Sequence, residues 1–493
     1  MPSRAIIGSA AWQIASQIVM AALSVATVKF VALGLSKELA GNYNSAYGFL
    51  QLFGIVADFG LYAVSVREMS ATKRKVDVLA TLIVLRLIIL AVSLTAAISI
   101  VWVLPQWRGT PLPLGVTIAS LVPLFTLLAG ILRTVFQVTY TMQYVFVAEV
   151  AQRILTASGI GLVVLLGLRS SDDVFYYYLF LLIGGIGALL LLSLSFIFAS
   201  RLMPLRLRWS GSELSSLFKR ASPYGIAFLC IALYRQFDIT MIALLRPDYE
   251  IQNAYYGFAG RIIEMTYLIP TYLLNSVLPA ISGRAWETDS SAHVLGKTFA
   301  LTVLCGAVSL VFCLLWARPL IQLLTSSRYL SSPGHVGSDT ALMLLSLPAL
   351  LNGIVLFCFY VLLARDEWKR LVATMLVAVF TSLLSNVLLV PPLGFVGAGI
   401  TAIIVNTLLV VLLLPQTLRL TRISLPPNFW GKLWLFILPL SAMLWLSARF
   451  MVSSPRIVLG LLLATAVMGA LAGATRLDRT LLATTPLGKE GKQ

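Results

Sequence analysis

The chain has 493 residues, of which 59% are hydrophobic and only 11% are charged, and its mean hydropathy is +0.93. These values exclude a soluble globular protein and are typical of a polytopic membrane protein. The formal net charge of +17 could suggest nucleic-acid binding, so the placement of the basic residues has to be considered before their number.

Fourteen hydrophobic segments are long enough to cross a bilayer as helices. With the N-terminus inside, well over half of the 36 Lys and Arg residues fall in connections on the inner side, as the positive-inside rule requires. Nucleic-acid binding is therefore not needed to explain the charge. The sequence predicts an all-α polytopic membrane protein with both termini cytoplasmic. The predicted spans lie near 6–31, 41–66, 80–104, 114–139, 145–168, 174–199, 222–245, 252–281, 297–317, 339–364, 371–390, 394–415, 431–448 and 455–474.

No cofactor and no metalloenzyme site is predicted. The four cysteines lie within spans and have neither metal-ligand nor disulfide-framework spacing. Free cysteines in such positions usually pack as small apolar residues. The two histidines, His293 and His335, lie in connections without a cluster of partners.

The inner connection near 201–221 divides the chain. It contains RLRWSGSELSSLFKRASP, in which Ser210 and Glu213 have the spacing of a capping box. We interpret it as a cytoplasmic linker with an interfacial helix. The predicted parts are an N-terminal lobe of six spans, the linker, a C-terminal lobe of six spans, and the last two spans with a cytoplasmic tail: 1–200, 201–221, 222–417 and 418–493.

Short matches indicate that the two lobes are repeats. AYGF at 46–49 recurs as YYGF at 255–258, and Pro123 and Pro348 lie at similar depths in the fourth and tenth spans. Six spans separate the copies, so both have the same orientation in the membrane. This predicts a parallel repeat about an axis along the membrane normal.

Ten ionisable residues fall inside the predicted spans, where a central charge costs roughly 2.5–3.5 kcal/mol on insertion scales. Three acids stand three or four residues from an arginine, which places both members on one helix face. Local neutralisation is the simplest interpretation of these pairs. The ten are Lys29, Arg86, Arg133, Arg153, Arg235, Arg261, Asp58, Glu149, Asp238 and Glu264.

The embedded charges have a basic excess. Lys29 and Arg86 have no acid within one turn of their own helices. Buried ionisable groups usually face a bundle interior or a watery cavity, and Arg offers paired donors to phosphate oxygens. We therefore predict a cationic site for an anionic cargo, with Lys29, Arg86, Arg133, Arg235 and Arg261 as its residues.

Three stretches carry a family resemblance. NVLLVPPLGFVGAGITAIIVN (386–406) resembles the segment joining the eleventh and twelfth helices of polysaccharide-type flippases in the multidrug/oligosaccharidyl-lipid/polysaccharide (MOP) superfamily. LGLSKELAGNYNSAYGFLQLFGIVADFGLYAVSVRE (33–68) is similar to their first two helices. FDITMIALLRPDYEIQNAYYGFAGRIIEMTYLIPTYLLNSVLPAIS (237–282) is similar to their seventh and eighth.

The resemblance implies a V-shaped, alternating-access transporter of two six-helix lobes plus two C-terminal helices. Its cargo would be a polyprenyl-diphosphate-linked oligosaccharide, flipped across the bacterial inner membrane for polysaccharide export. Implied partners are this lipid-linked sugar, membrane lipids, and the polysaccharide polymerase and export machinery. The last two helices would either shelter the lipid tail or pack against the lobe.

The resemblance also implies candidates for ion coupling. Related lipid II flippases hold sodium with groups of the seventh, eleventh and twelfth helices, which match Asp238, Asn386 and Thr401 here, with Ser382 one turn before Asn386. The eleventh span has no acid, which departs from that pattern. Proton coupling through Asp58, Asp238 or Glu264 is the alternative.

Two other function classes remain open. A drug or cation antiporter of the same superfamily should have an acid-rich, aromatic pocket, whereas the embedded excess here is basic. A membrane polymerase or ligase should carry a large catalytic outer loop, whereas the longest outer connection, near 318–338, is short. The sequence therefore favours a transporter over an enzyme.

Overall fold

The computed structural model describes residues 2–58, 69, 75–205, 211–268, 270–271, 273–274, 289–365, 367–451 and 453–475. Long apolar helices dominate the described residues, because lipid cannot satisfy backbone hydrogen bonds and a helix satisfies them internally. The helices are α1 (Pro2–Gly34), α2 (Lys37–Asp58), α3 (Lys75–Val103), α4 (Leu112–Ala119), α5 (Leu121–Val138), α6 (Gln143–Leu165), α7 (Val174–Leu202), α8 (Gly211–Leu245), α9 (Tyr249–Thr266), α10 (Asp289–Leu315), α11 (Ala317–Leu324), α12 (Ser338–Ala364), α13 (Trp368–Leu393), α14 (Phe395–Leu420), α15 (Phe429–Ala448) and α16 (Ser454–Thr475).

The predicted spans coincide with these helices. Among the described residues, ten helical segments are long and apolar enough to cross a membrane, and Val19–Gly34 is a shorter apolar segment within α1. Each of the fourteen predicted spans falls on a helix over its described part, with α4 and α5 together forming the fourth. The all-α multi-pass fold is thus confirmed.

The helix predicted in the linker continues into the seventh predicted span. α8 begins at Gly211 and continues to Leu245, so the helical part of the linker is continuous with the seventh predicted span. Glu213 lies in its first turn, and Ser210, the predicted cap, lies outside the described residues. Residues 211–221 are therefore helical and lead into the seventh span, and their position at the membrane interface stays a prediction.

The chain divides into two compact units, Met1–Gly257 and Phe258–Gln493. In the first unit, α1 packs against α6, α7 packs against α5 and α6, and α2 packs against α3, α4 and α8. In the second, α12 packs against α10 and α14, α13 packs against α14, and α15 packs against α10 and α16. The predicted lobe boundaries and V-shaped arrangement stay predictions.

The packing within each unit agrees with the predicted repeat. The fourth and sixth spans of each half are paired, as α5 with α7 and as α12 with α14. The fifth and sixth are also paired, as α6 with α7 and as α13 with α14. A parallel repeat requires this recurrence of neighbours.

The signature between α13 and α14 has a steric explanation. Gly394 joins the two helices with a φ of +61°, which favours glycine. A Cβ on Gly397 would collide with the carbonyl oxygen of Leu389. The glycines of PPLGFVGAG therefore allow two antiparallel helices to meet across a very short turn.

Candidate cargo and coupling sites

Arg86 on α3 is paired across helices. Its Nη2 donates to Asp58 Oδ1 at 2.5 Å, its Nη1 to the Ala57 carbonyl at 2.7 Å and its Nε to the Leu127 carbonyl at 3.3 Å. The side chain is 1% exposed. The interpretation of Arg86 as an unpaired cation is therefore wrong, because α2 supplies an acid that is absent within one turn of Arg86 on its own helix.

Arg133 and Glu149 form a second cross-helix pair, between α5 and α6. Arg133 Nη1 donates to Glu149 Oε1 at 3.0 Å, and the two side chains are 32% and 13% exposed. The sequence suggested Arg153 as the partner of Glu149 because the two share a helix face. The contact with Arg133 comes from helix packing, which spacing along one helix does not reveal.

Arg261 and Glu264 on α9 form the local pair that their spacing predicts. Arg261 Nη1 donates to Glu264 Oε2 at 3.0 Å, and the side chains are 30% and 36% exposed. Arg261 is therefore only partly buried. Lys29 on α1 and Arg235 on α8 are also only partly buried.

Asp238 on α8 accepts a hydrogen bond from a tyrosine. Tyr256 Oη on α9 donates to Asp238 Oδ2 at 2.7 Å, and Asp238 is 5% exposed. Tyr256 was missed as a site residue, although the repeated YGF motif already marked it. Its hydroxyl supplies the hydrogen bond that a nearly buried carboxylate needs.

The second unit holds the other coupling candidates. Asn386 on α13 and Thr401 on α14 are both fully buried. Asn386 Nδ2 donates to the Ser382 carbonyl at 3.0 Å, and Thr401 Oγ1 has no hydrogen-bond partner among the described residues. Neutral oxygens of this kind suit Na⁺ as ligands. Asp238 belongs to the first unit, and no cluster of three or more His, Cys, Asp or Glu residues occurs where side chains are described.

Outside the spans, a charged pair shapes the connection between α8 and α9. Arg246 donates from Nε to Asp248 Oδ1 at 2.7 Å and from Nη2 to Oδ2 at 2.9 Å. The hydrogen bonds from Arg246 lower the pKa of Asp248, and burial opposes them only in part. Gln252 Nε2 also donates to Asp248, at 2.7 Å, so the carboxylate organises the first turn of α9.

Residues 6–283 match the family described as "Polysaccharide biosynthesis protein", which is more than half of the chain. The chain belongs to this family. No curated protein matches it significantly.

Solved structures show which fold this family member has. The lipid II flippase MurJ in an inward closed conformation superposes with a TM-score of 0.72 at 14% identity, over 97% of this chain and 100% of that one. An inward-facing MATE-family multidrug transporter gives 0.61 at 14% identity, over 81% and 94%. A MOP superfamily transporter from Pyrococcus furiosus, described as having a binding pocket of reverse polarity, gives 0.55 at 14% identity, over 85% and 96%. The chain therefore has the MOP superfamily fold.

Proposed function

We propose that this chain is a flippase for polyprenyl-diphosphate-linked oligosaccharides. It carries repeat units from the cytoplasmic to the outer leaflet of the bacterial inner membrane for polysaccharide export. The coarser role, that of a multi-pass transporter of a polysaccharide biosynthesis family, is supported by the family and the fold.

The observation that carries the proposal is the partial exposure of several cations within the predicted spans. Arg86 is 1% exposed, whereas Arg133 and Arg261 are 32% and 30% exposed, and Lys29 and Arg235 are also partly exposed. An anionic headgroup can reach a cation that is partly exposed on an apolar helix. A diphosphate presents the oxygens that Arg and Lys bind most strongly.

The superfamily fold is shared with drug exporters, so the fold alone does not select the cargo. The basic excess favours a phosphorylated cargo over a cationic drug. We propose that Lys29, Arg133, Arg235 and Arg261 each contribute to diphosphate binding, and that Asp238, Asn386 and Thr401 each contribute to coupling with Na⁺ or H⁺.

Charge-removing variants test the assignment. We expect Lys29→Gln, Arg235→Gln and Arg261→Gln each to abolish polysaccharide export in a strain lacking the gene, because a buried diphosphate loses a charge-assisted hydrogen bond. Surface polysaccharide is the readout, and immunoblotting of membranes checks that each variant is present. Arg456→Gln, at an exposed arginine of α16, is the matched control and should export normally. Normal export from all three test variants would refute the cationic site.

A further inference from the structure

The end of α12, the start of α13 and the end of α14 are joined by polar contacts within the second unit. Arg365, which follows α12, donates from Nη2 to the carbonyl of Leu420 at the end of α14, at 3.5 Å. Gln416 Nε2 on α14 donates to Thr374 Oγ1 on α13 at 3.2 Å. The Thr374 hydroxyl in turn donates to the Arg370 carbonyl at 3.0 Å. These contacts keep the three helix ends close to one another.

The same helix ends carry an excess of basic residues. Over 365–370 and 416–422 the chain has five Lys or Arg residues and only two Asp or Glu residues. Glu367, one of the two acids, already pairs with Arg370 at 3.4 Å. The positive-inside rule explains why basic residues occur here, and the helix contacts explain why they lie together.

Two arginines at the end of α14 are open to an anion. The side chains of Arg419 and Arg422 are exposed, and neither forms an ion pair within the described part of the chain. Arg365 binds the carbonyl of Leu420, the residue next to Arg419. A third guanidinium group therefore lies near the two exposed ones.

These charges stand where three spans reach the membrane surface. The spans Ser338–Ala364, Trp368–Leu393 and Phe395–Leu420 begin or end beside the basic residues. Trp368 is the first residue of α13, and Lys369 Nζ lies 5.8 Å from the centre of its ring. Tryptophan is enriched at the membrane–water interface, so this position agrees with a headgroup level at the start of α13.

Apolar side chains lie exposed beneath the arginines. Leu376 on α13 and Val411 and Leu418 on α14 are each more than half exposed. A phospholipid has its phosphate at the membrane surface and its acyl chains below it. The order of charged and apolar groups along α13 and α14 therefore matches that of a phospholipid molecule.

We propose that the ends of α12, α13 and α14 bind the headgroup of an anionic phospholipid, with Arg419 and Arg422 on its phosphate. Arg365 positions the end of α14, and Arg370 adds positive charge. Arginine offers paired donors to phosphate oxygens, and basic residues near a membrane surface attract anionic lipids. The lipid is one of the inner leaflet, because the predicted topology places these helix ends on the cytoplasmic side.

Lipid titration tests the site with the purified full chain in detergent. Native mass spectrometry measures the binding of phosphatidylglycerol and of phosphatidylcholine with the same acyl chains. We expect phosphatidylglycerol to bind more tightly. Arg419→Gln/Arg422→Gln should weaken its binding about thirtyfold, at about fivefold for each basic residue, and should leave phosphatidylcholine unaffected.

Two further variants separate a specific site from charge alone. Arg449→Gln/Arg456→Gln removes two exposed arginines that flank the turn between α15 and α16, and should leave phosphatidylglycerol binding unchanged. Arg419→Lys/Arg422→Lys keeps both charges and should retain most of the binding. Equal weakening by the two glutamine pairs would overturn the site, because net charge would then account for the attraction.

Equal affinity of the unaltered chain for the two lipids would also overturn the site. So would loss of polysaccharide export in Arg419→Gln/Arg422→Gln with unchanged phosphatidylglycerol binding, because the arginines would then serve the cargo. The variants at Lys29, Arg235 and Arg261 test the cargo separately. Failure of the flippase proposal would leave the lipid titration standing.

Discussion

The Arg86 guanidinium lies on α3 and bonds to a carboxylate and two backbone carbonyls from neighbouring segments. Its charge is 1% exposed, whereas its partner Asp58 is 42% exposed. The two members of this ion pair therefore differ in how strongly each one needs the other as a counter-ion. Asp58 keeps an exposed face, and Arg86 depends on its protein partners.

Removing the Asp58 carboxylate should therefore destabilise the fold, and a second substitution at Arg86 should restore part of the lost stability. We expect Asp58→Asn to lower the free energy of unfolding by about 2 kcal/mol, because it leaves a buried charge without its counter-ion. Adding Arg86→Met should recover part of this loss, since no buried charge then remains. Thermal unfolding in detergent measures both effects.

The double variant also separates a structural role from a role in cargo binding. If Arg86 serves only the fold, Asp58→Asn/Arg86→Met exports polysaccharide at a level that follows its stability. A stable double variant without export would return Arg86 to the cargo site.

At the scale of elements, the connection between α8 and α9 is organised by one carboxylate. Asp248 accepts hydrogen bonds from Arg246 and from Gln252, which lies in the first turn of α9. A carboxylate near a helix N-terminus also interacts favourably with the helix dipole. The connection thus presents α9 to α2 in a fixed direction.

The lowered pKa of Asp248 predicts how this contribution depends on pH. The folded-state pKa lies below the ordinary value of 3.8, so the stabilisation is fully present above that value and is lost only as the pH falls through the lower folded-state pKa. We expect Asp248→Asn to lower the melting temperature equally at pH 5 and pH 8. Asp172→Asn, at an exposed carboxylate, is the control and should have little effect. A loss that appeared only at pH 8 would contradict the pKa shift.

For the whole molecule, the two predicted sets of six spans place their repeated tyrosines in different surroundings. The repeated tyrosines illustrate this, because Tyr256 Oη binds Asp238, whereas a Cβ on Gly184 would lie 2.6 Å from the hydroxyl of its counterpart, Tyr47. The contact of Tyr256 with Asp238 is the reason for placing the proposed coupling function on α8 and α9.

Ion coupling is tested with the purified chain in proteoliposomes. We expect transport of a lipid-linked oligosaccharide to rise under an imposed Na⁺ or proton gradient, and Asp238→Asn to remove the response. Asp248→Asn changes an acid outside the spans, and this variant should still respond to the gradient. Transport that ignores both gradients would contradict coupling through Asp238.

The sequence by itself determined the all-α multi-pass fold and the positions of the spans, and it predicts the repeat. These depend on hydrophobic runs of fixed length and on short motifs, which are local properties of the chain. It also predicted the Arg261–Glu264 pair, because both residues share one turn of α9.

The tertiary structure alone decided the partners of Arg86, Glu149 and Asp238, and it brought Gln416 to Thr374. Each of these contacts joins residues on different helices. Helical periodicity gives the face on which a residue lies, but the neighbour of that face depends on how the helices pack.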